Sequence, residues 1–402
     1  MRNGRERYKS KEGSDKRRIN INLNRIFLFL VLICIAGYGV YTYTAFSKIK
    51  SIDPIKKSNL DYYLLSNQND ALEKTLIVFE EEYNEKERIK VAYLYAENKE
   101  RGESVLIYIP GWVEYTGLEK DLGSSVPIST FRYAGEFLQE GRGFEYAIWQ
   151  FEQLLGSNID EYIWISSPAY KIFSEKLGES SGESVYAQYY SNGFKVNQEA
   201  YILNSFVSKL SWFNLITSSH KFKNSEAVIY SSFPTLGNVV LKLKQIHQST
   251  ISTRPYLLDL SSSEYLSQQE SMGGVGISSY IDTDKYDVVW REFIDGMIDR
   301  QLEKERVRVE VYNGSGMSGY ASQYARKIRN SGCEVVRYDN APNEQAKTQF
   351  FVPKKDDFPK SLNIIFEIFP GSYELVEGRP SFMTTGDIVI ILGKDIPTVY
   401  AF

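Results

Sequence analysis

The feature that most constrains this chain is an uncharged run of 21 residues from Ile26 to Phe46. A helix rises ~1.5 Å per residue, so the run covers about 30 Å, the thickness of the hydrocarbon layer of a bilayer. A cleaved signal peptide or a buried core helix would also be apolar. However, no Ala-x-Ala cleavage site follows, and Tyr38, Tyr41 and Tyr43 suit a membrane interface. The run therefore predicts one transmembrane helix over residues 26–46.

The arm before this run, residues 1–25, is basic, with nine Lys or Arg against three Asp or Glu and a net charge of +6. Short basic flanks stay on the cytoplasmic side of a membrane. A nucleic-acid-binding tail would also be basic, but the arm has no fold signature of one. We therefore expect a single-pass protein of the cell membrane with a cytoplasmic N-terminus and an extracytoplasmic ectodomain.

The composition of the ectodomain excludes several kinds of function. The whole chain carries a net charge of −4, so the part beyond the arm carries −10, which argues against nucleic acid as a partner. Cys34 lies in the apolar run and Cys333 beyond it, so no ectodomain disulfide is expected. His220 and His247 are the only histidines, too few for a His-based metal site or a Ser-His-Asp triad. Any chemistry must rest on carboxylates, Arg and Lys.

The pattern after residue 69 predicts a layered α/β domain, preceded by a polar stalk over residues 47–69. Strands are predicted at 75–79, 89–95, 104–109 and 161–165, extended segments at 227–231 and 250–259, and helices at 144–155, 169–177, 198–215 and 239–246. The Ser- and Gly-rich segment 260–284 is predicted to be a loop, and Glu80, Glu81 and Glu82 a solvated acidic loop.

A helix over 284–306 is expected to end this first domain. Its apolar residues predict the buried side to be Val288, Val289, Phe293, Met297 and Ile298.

A compact second unit of about 90 residues follows. Strands are predicted at 307–312, 334–338, 349–352, 374–376 and 387–392, and helices at 318–330 and 359–369.

The stretch from Arg308 to Gly332, with its Asn313-Gly-Ser-Gly316 turn, and the strand Asp387 to Lys394 resemble the C-terminal domain of LytR-type cell-envelope proteins. A glycine turn before a helix can also cradle a phosphate. Here neither a Walker lysine nor a ribose-binding acid follows. The glycines are better explained as a turn that lets the strand reverse into the helix.

The order of elements upstream is similar to that of LytR-CpsA-Psr proteins, in which a single-pass anchor precedes an extracytoplasmic α/β/α domain. This resemblance implies an arm over 1–25, the anchor over 26–46, a stalk over 47–69, a LytR-CpsA-Psr-like domain over 70–305 and a LytR C-terminal-like domain over 306–396. The implied fold class is α/β throughout the ectodomain.

The family transfers a polymer from a polyprenyl pyrophosphate carrier to peptidoglycan, with arginines on the pyrophosphate and aspartates on a divalent metal. Such groups stabilise the charge that spreads over a phosphoryl centre. The family's Arg-Ser-Asp stands here as Arg88-Ile89-Lys90, and its Pro-Arg-Asp as Pro110-Gly111-Trp112. Its Lys-Ile-Asn lies near Pro127-Ile128-Ser129.

The family's late arginine cluster maps near residues 186–200. Gln188, Tyr190 and Gln198 stand where arginines are expected, and Lys195 is the remaining cation. The resemblance then implies no catalytic residue and no metal ligand.

Arg88, Arg132 and Lys195 could still form a reduced site for an anion or a pyrophosphate, although each alone is an ordinary surface cation. Glu80, Glu81 and Glu82 could replace a metal ligand at the end of the first strand, where open α/β sheets place sites. The solvated acidic loop is the simpler interpretation.

These residues favour a non-catalytic protein that binds, scaffolds or regulates in cell-wall assembly, without a cofactor. Its expected partners are the membrane, a polyprenyl-phosphate lipid or cell-wall glycopolymer, and other envelope proteins. The alternative is an active phosphotransferase with a relocated site and Mg²⁺, which requires Glu80 to Arg88, Arg132 and Lys195 to converge on one pocket. A third hypothesis is a structural surface protein with no ligand.

Overall fold

The fold is described from a computed structural model. It describes residues 23–51, 55–56, 72–83, 86–99, 101–115, 126–174, 202–211, 221, 227–252, 256–270, 277–297, 300–369 and 373–396. The chain divides into two compact units, Met1–Ser51 and Ile52–Phe402, and each is described by itself.

The first unit contains helix α1, Leu23–Ser51. Its span Ile26–Thr44 has a mean hydropathy of 2.1 and no buried residue, and it is the one helix long and apolar enough to cross a membrane among the described residues. The Thr42 hydroxyl donates to the Tyr38 carbonyl at 2.9 Å, so a polar side chain within the span is satisfied by the helix itself. The expected helix is confirmed. A signal sequence near the N-terminus passes the same test of length and hydropathy, so the role of α1 as an anchor is proposed below.

The first domain of the second unit is built on a seven-stranded mixed sheet in the order β1-β8-β7-β2-β3-β4-β9, with a small four-stranded sheet, β10-β11-β5-β6, beside it. The strands are β1 Ile55–Lys56, β2 Leu72–Tyr83, β3 Lys86–Asn98, β4 Glu103–Pro110, β5 Glu114–Tyr115, β6 Val126–Pro127, β7 Glu161–Ile165, β8 Ile229–Ser231, β9 Tyr256–Asp259, β10 Leu266–Glu270 and β11 Ile277–Ile281. The helices are α2 Phe131–Leu138, α3 Gly143–Leu155, α4 Ser167–Ser174, α5 Ile202–Lys209, α6 Leu236–Ser252 and α7 Thr283–Met297.

The register of the large sheet gives it two ends. β2 and β3 are antiparallel and β2 and β7 parallel, so β2 and β7 end where β3 begins. β8 and β1 also begin there, since Ile165 pairs with Ile229 and Ile229 with Ile55. We call this the Glu80 end, and the opposite end, where β2 starts, the Leu72 end.

Apolar side chains from both sheet faces form the core. On one face, Leu76 and Val78 belong to the same buried cluster as Phe151 of α3 and Trp290 of α7. On the other face, Phe79 lies edge-on to Tyr170 of α4 and Phe206 of α5, with ring centroids 5.7 and 5.1 Å away. Helices therefore cover both faces, as expected for a layered α/β domain.

The C-terminal domain begins after the short helix α8, Arg300–Glu305, and has a five-stranded sheet in the order β13-β12-β16-β14-β15. Its elements are β12 Arg308–Asn313, α9 Tyr320–Asn330, β13 Glu334–Asn340, β14 Gln349–Val352, α10 Pro359–Ile368, β15 Glu374–Glu377 and β16 Ile388–Leu392. Glu305 accepts hydrogen bonds from the backbone N–H groups of Lys360 and Ser361, which fixes the start of α10.

The expected α/β fold is confirmed, while several local predictions were wrong. The segment 260–284 is not a loop throughout, because β10 and β11 pair there as an antiparallel hairpin. Residues 250–252 belong to α6 rather than to an extended segment. β1 lies within the predicted stalk but pairs with β8, so this part of the stalk belongs to the sheet.

The buried side of α7 differs from the prediction in part: Val289 and Phe293 pack against the core as predicted, but the fully buried residues are others. Tyr286, Trp290 and Ile294 are buried, whereas Val288 is 50% exposed. The three buried residues recur at a spacing of four, so they form one stripe along the helix. Ile298, the stalk beyond Lys56 and the ends of the helices predicted over 169–177 and 198–215 lie outside the described residues.

The two domains of the second unit meet where α9 packs against the C-terminal end of α3. Lys327 donates to Glu152 Oε2 at 3.0 Å and to Asn158 Oδ1 at 2.7 Å. Arg326 pairs with Asp287 of α7, with Nε 2.6 Å from Oδ2, and donates from Nη2 to the Leu154 carbonyl at 2.9 Å. The Leu154 carbonyl lies in the last turn of α3, so the positive charge of Arg326 beside it also interacts favourably with the helix dipole.

Gly156→Ala is expected to lower the free energy of unfolding by about 1 kcal/mol more than a substitution that strains only the backbone, because the added Cβ also crowds the junction. Gly156 has φ +58°, and an added Cβ would lie 2.5 Å from Asn330 Nδ2 and 2.8 Å from Arg326 Cζ. Gly141→Ala is the matched control, because Gly141 has φ +82° and nothing within 4 Å of the added Cβ. Denaturant unfolding of both variants measures the difference, and equal losses would contradict the junction described here.

Candidate functional site

The candidate site is a partly buried ion cluster at the Glu80 end of the large sheet, in which Glu80 is fully buried. Arg132 of α2 donates from Nη1 to both carboxylate oxygens of Glu80, at 2.9 and 3.1 Å. The same nitrogen lies 3.3 Å from Glu87 Oε2 of β3. The guanidinium also stands over the Tyr230 ring of β8, 5.3 Å from its centroid. One cation thus ties together α2, β2, β3 and β8.

Glu80 is buried because of its place in the strand. Leu76, Val78 and Glu80 alternate along β2 and share the face covered by α2 and α3. The register with β3 shifts between Phe79 and Glu80, a bulge that re-aims side chains at the end of the pair. The side chain of Glu80 is 0% exposed, so the prediction of a solvated loop was wrong for this residue.

The environment of Glu80 changes its proton affinity. Burial raises the pKa of Glu80 to about 7, Arg132 opposes that rise, and the nearby Glu87 adds to it. Burial works against the charge of Arg132, but the Glu80 carboxylate outweighs this effect and raises the pKa of Arg132. The cluster therefore keeps its arginine charged, while Glu80 titrates near neutral pH.

The other charges at this end form pairs of their own. Lys90 donates to Glu81 Oε2 at 2.8 Å, and Lys171 of α4 pairs with Glu82. Lys86 donates to the Tyr133 hydroxyl at 3.0 Å and lies 4.4 Å from its ring centroid. Among the described residues, Glu80, Glu81 and Glu82 therefore each pair with a different cation, Arg132, Lys90 and Lys171.

Two of the three predicted anion-binding residues, Arg88 and Arg132, lie in the part of the chain that the structure describes. Arg132 is where a site was expected, but two carboxylates already bind its guanidinium. Arg88 is half-buried on β3 and faces Glu81 in the strand register. Lys195 lies outside the described residues. A three-cation anion site therefore stays a prediction.

The described residues at this end do not fit the divalent metal that the alternative hypothesis of an active phosphotransferase requires. Lys90 stands where the family has an aspartate, and an ammonium group cannot ligate a cation. Glu80, the buried carboxylate nearby, is held by Arg132. Across the part of the chain that the structure describes, no group of three or more His, Cys, Asp or Glu residues could hold a metal ion.

Sequence reasoning missed the roles of Glu80, Glu87 and Tyr230. Three consecutive glutamates suggested a solvated loop, but the alternation Leu76, Val78, Glu80 was a signal that the third residue could point into the core. Tyr230 offered no such signal, because β8 reaches this end only through the folded sheet.

The free energy of unfolding is expected to fall as pH rises from about 4.5 to about 7 because of Glu80. In the unfolded chain Glu80 has its ordinary pKa of 4.5, whereas burial raises it to about 7 in the fold. Between these values the folded state keeps a proton that the unfolded state has lost, so rising pH favours unfolding. The stability of the unmodified protein relative to Glu80→Gln should therefore be lower at pH 7.5 than at pH 4.5. An unchanged difference would contradict the raised pKa.

Comparison with known proteins gives one family match. Residues 306–395 match the LytR C-terminal family, described as "LytR cell envelope-related transcriptional attenuator". The expected LytR C-terminal domain is therefore confirmed. No curated protein matches the chain.

Three solved structures with distant similarity are matched over most of their own length. "TagT bound to LI-WTA" is 12% identical with a TM-score of 0.35, covering 60% of this chain and 96% of that chain. B. subtilis TagV is 13% identical with a TM-score of 0.37, and the match covers 56% of this chain and 97% of that chain. Protein gbs0355 from Streptococcus agalactiae is 10% identical with a TM-score of 0.36, and the match covers 58% of this chain and 91% of that chain. At these values the likenesses establish no shared activity or ligand.

Proposed function

We propose that this chain, whose residues 306–395 belong to the LytR C-terminal family, is a membrane-anchored cell-envelope protein of the LytR-CpsA-Psr type that binds without catalysing transfer. Its first domain, residues 70–305, is the LytR-CpsA-Psr-like part of this proposal. The protein acts as a binding, scaffold or regulatory member in cell-wall assembly.

The observation that carries this proposal is the engagement of Arg132. An arginine that grips a pyrophosphate must offer its N–H donors to the phosphate oxygens. Here Nη1 of Arg132 donates to the Glu80 carboxylate, and Glu87 lies 3.3 Å away. A dianionic ligand at that position would meet two carboxylates, which repel it. The cluster therefore serves to join α2 to the sheet rather than to stabilise a phosphoryl group.

The location rests on α1 and the basic arm. The span Ile26–Thr44 is long and apolar enough to cross a bilayer, and the net charge of +6 over residues 1–25 favours a cytoplasmic arm. The LytR C-terminal domain then stands outside the membrane, in keeping with a family described as cell-envelope-related.

The ligands of this proposal are a cell-wall glycopolymer or its polyprenyl-phosphate carrier, with other envelope proteins as further partners. With catalysis absent, such a ligand is retained and recovered unchanged. The absence of the family's aspartate at Lys90 and of its arginine at Gly111 supports this retention, since an ammonium group cannot ligate a divalent metal ion and glycine has no charge to place on a phosphoryl centre.

The test is incubation of full-length protein in lipid nanodiscs with a polyprenyl-pyrophosphate-linked glycopolymer and Mg²⁺. Native mass spectrometry is expected to find bound ligand, and extraction is expected to return it intact. Cleaved ligand would support the active phosphotransferase instead. The absence of any bound lipid or polymer would favour a structural protein without a ligand.

A further inference from the structure

The sheet of the C-terminal domain has one long, open edge strand. β13 stands first in the strand order β13-β12-β16-β14-β15, so β12 pairs with one side of it and, among the described residues, no strand pairs with the other side. β13 has seven residues, whereas β15 at the opposite edge has four. The open side of an edge strand presents backbone N–H and C=O groups that can pair with a further strand.

The sequence of β13 lacks the residues that usually prevent such pairing. Lysine and proline at an edge discourage the addition of a further strand. β13 reads Glu334-Val-Val-Arg-Tyr-Asp-Asn340 and contains neither of them. Val336 is 43% exposed and Tyr338 48%. Apolar side chains therefore stand beside an open backbone edge.

A β-bulge in this strand leaves most of the edge regular. The register with β12 shifts between Val309 and Glu310, and a bulge disturbs pairing where it lies. Beyond the shift, Arg337 to Asn340 pair one to one with Glu310 to Asn313. A partner strand can therefore align with the part of β13 that follows the bulge.

The side chains of this regular part divide between two faces. Tyr338 lies on the face covered by α9, where the guanidinium carbon of Arg329 is 5.3 Å from its ring centroid. Arg337 stands over the Tyr312 ring on the opposite face and donates to Asp339 Oδ2 at 2.9 Å. Arg337 and Asp339 are two residues apart and share that face. Their side chains are 55% and 51% exposed, so both charges can reach a partner strand.

The charges on this face are self-complementary when two β13 strands pair antiparallel. Opposed residues of such a pair lie on the same face, so a two-fold axis perpendicular to the sheet must pass through a residue position. An axis at Tyr338 places Arg337 of each copy opposite Asp339 of the other. An axis at Arg337 or at Asp339 would place like charges opposite each other, which destabilises the pair. Charge therefore selects one register, and it selects a second copy of this strand as the occupant.

Both faces of the paired strands benefit from this register. On one face the four charges alternate in sign and form a network, which contributes more than isolated surface pairs do. On the other face Tyr338 of one copy lies beside Tyr338 of the other, because directly opposed side chains are about 5 Å apart at Cβ. Two aromatic rings at such a distance attract each other.

We propose that two copies of this chain associate through β13, antiparallel and with the two-fold axis at Tyr338, so that their five-stranded sheets become one continuous sheet. The inference goes beyond the proposed function and does not depend on it, because it concerns residues of the C-terminal domain alone. The regular part of the edge is short, so the dimer is weak and its population rises with protein concentration.

Reversal of one charge tests the register. Arg337→Asp places acidic groups opposite Asp339 in both halves of the pair, and Asp339→Arg places cations opposite Arg337. Each single variant is expected to weaken self-association on the order of tenfold, because two attractive pairs become repulsive. The double variant restores opposite charges and should restore the dimer. Analytical ultracentrifugation of full-length protein in detergent micelles, over a range of concentrations, measures the dissociation constant.

A mixture of the two single variants is the strictest form of this test. Chains with Arg337→Asp and chains with Asp339→Arg have complementary strands, so they are expected to form a mixed dimer although neither variant dimerises well alone. Lys394→Glu is the matched control, because Lys394 belongs to an exposed ion pair of the same domain with side chains 58% and 65% exposed. It should leave self-association unchanged. Thermal unfolding checks that every variant folds.

A cysteine on the two-fold axis tests the contact directly. In a Cys34→Ala background, which removes the exposed cysteine of α1 and keeps the buried Cys333, Tyr338→Cys is expected to give a disulfide-linked dimer on mild oxidation. Opposed Cα atoms in an antiparallel pair are about 4.5–5.5 Å apart, within the range that a disulfide bridges. Val336→Cys is similarly exposed, but its two copies would be about 13 Å apart along the strands. It should cross-link far less.

Three results would overturn the inference. Full-length protein that stays monomeric at every concentration, with no cross-link at position 338, would show that β13 does not pair with itself. A dimer that persists in both charge-reversal variants would place the contact elsewhere in the chain. Single variants that remain monomeric when mixed would show that Arg337 and Asp339 do not face each other across two copies.

Discussion

Lys327→Met is expected to lower the free energy of unfolding by about 3–5 kcal/mol, the cost of leaving one member of a buried ion pair without its partner. The side chains of Lys327 and Glu152 are only 8% and 2% exposed and lie 3.0 Å apart. Burial raises the pKa of Glu152, and Lys327 opposes that rise. Without the lysine, Glu152 must stay charged in an apolar surrounding or take up a proton, and both cost free energy.

Lys394→Met is the matched control for this variant. Lys394 and Glu344 form the same type of pair within the C-terminal domain, but their side chains are 58% and 65% exposed. Exposed pairs contribute about 0–1 kcal/mol. Emission of Trp290, whose indole N–H donates to the Asn330 carbonyl at 3.0 Å, reports the junction directly. Similar losses in the two variants would show that the domains do not depend on the buried pair.

Arg132→Met is expected to cost about 2–3 kcal/mol at neutral pH, because it leaves Glu80 buried without a cation. The loss stays below that of a fully charged buried group, since the pKa of Glu80 is already raised to about 7 by burial and the carboxyl can take up a proton. The double variant Arg132→Met with Glu80→Gln should recover part of the stability, because it removes the unpaired charge. Chemical unfolding of the single and double variants measures this coupling.

Arg337→Met provides the control with the same groups at the surface. Arg337 pairs with Asp339 at 2.9 Å and lies over the Tyr312 ring, 5.7 Å from its centroid, but both charged side chains are more than half exposed. Its loss should be much smaller than that of Arg132→Met, because ion pairs at the surface contribute little to stability. A double variant at Arg132 and Glu80 that is no more stable than Arg132→Met would contradict the account of the cluster.

The order of strands and helices could be predicted because each follows from a local pattern. Glu161–Ile165 and Gln349–Val352 are strands with the predicted boundaries, since apolar residues there are bounded by turn residues. Local patterns gave wrong predictions where pairing with other strands, rather than the local sequence, determines the structure. The β10–β11 hairpin is polar and Ser-rich, so its strands exist through pairing rather than through an apolar face.

The contacts that define the candidate site and the domain junction could not be predicted in this way. Lys327 and Glu152 are 175 residues apart in the sequence, and Arg132 and Glu80 are 52 apart. Both pairs are charged residues on elements whose faces become buried only when the helices pack on the sheet. Arg132 could be chosen as a candidate cation from its sequence position, but only its contact with Glu80 shows that carboxylates already neutralise it.

The most direct test of a binding protein without transfer activity is the rate at which full-length protein in nanodiscs releases polyprenyl phosphate from a polyprenyl-pyrophosphate-linked glycopolymer. Mg²⁺ and a peptidoglycan acceptor are supplied in excess. The account predicts a rate equal to that of empty nanodiscs, and no change in Arg132→Met. A Mg²⁺-dependent release above that background, abolished in Arg132→Met, would contradict it and make Arg132 part of an active site.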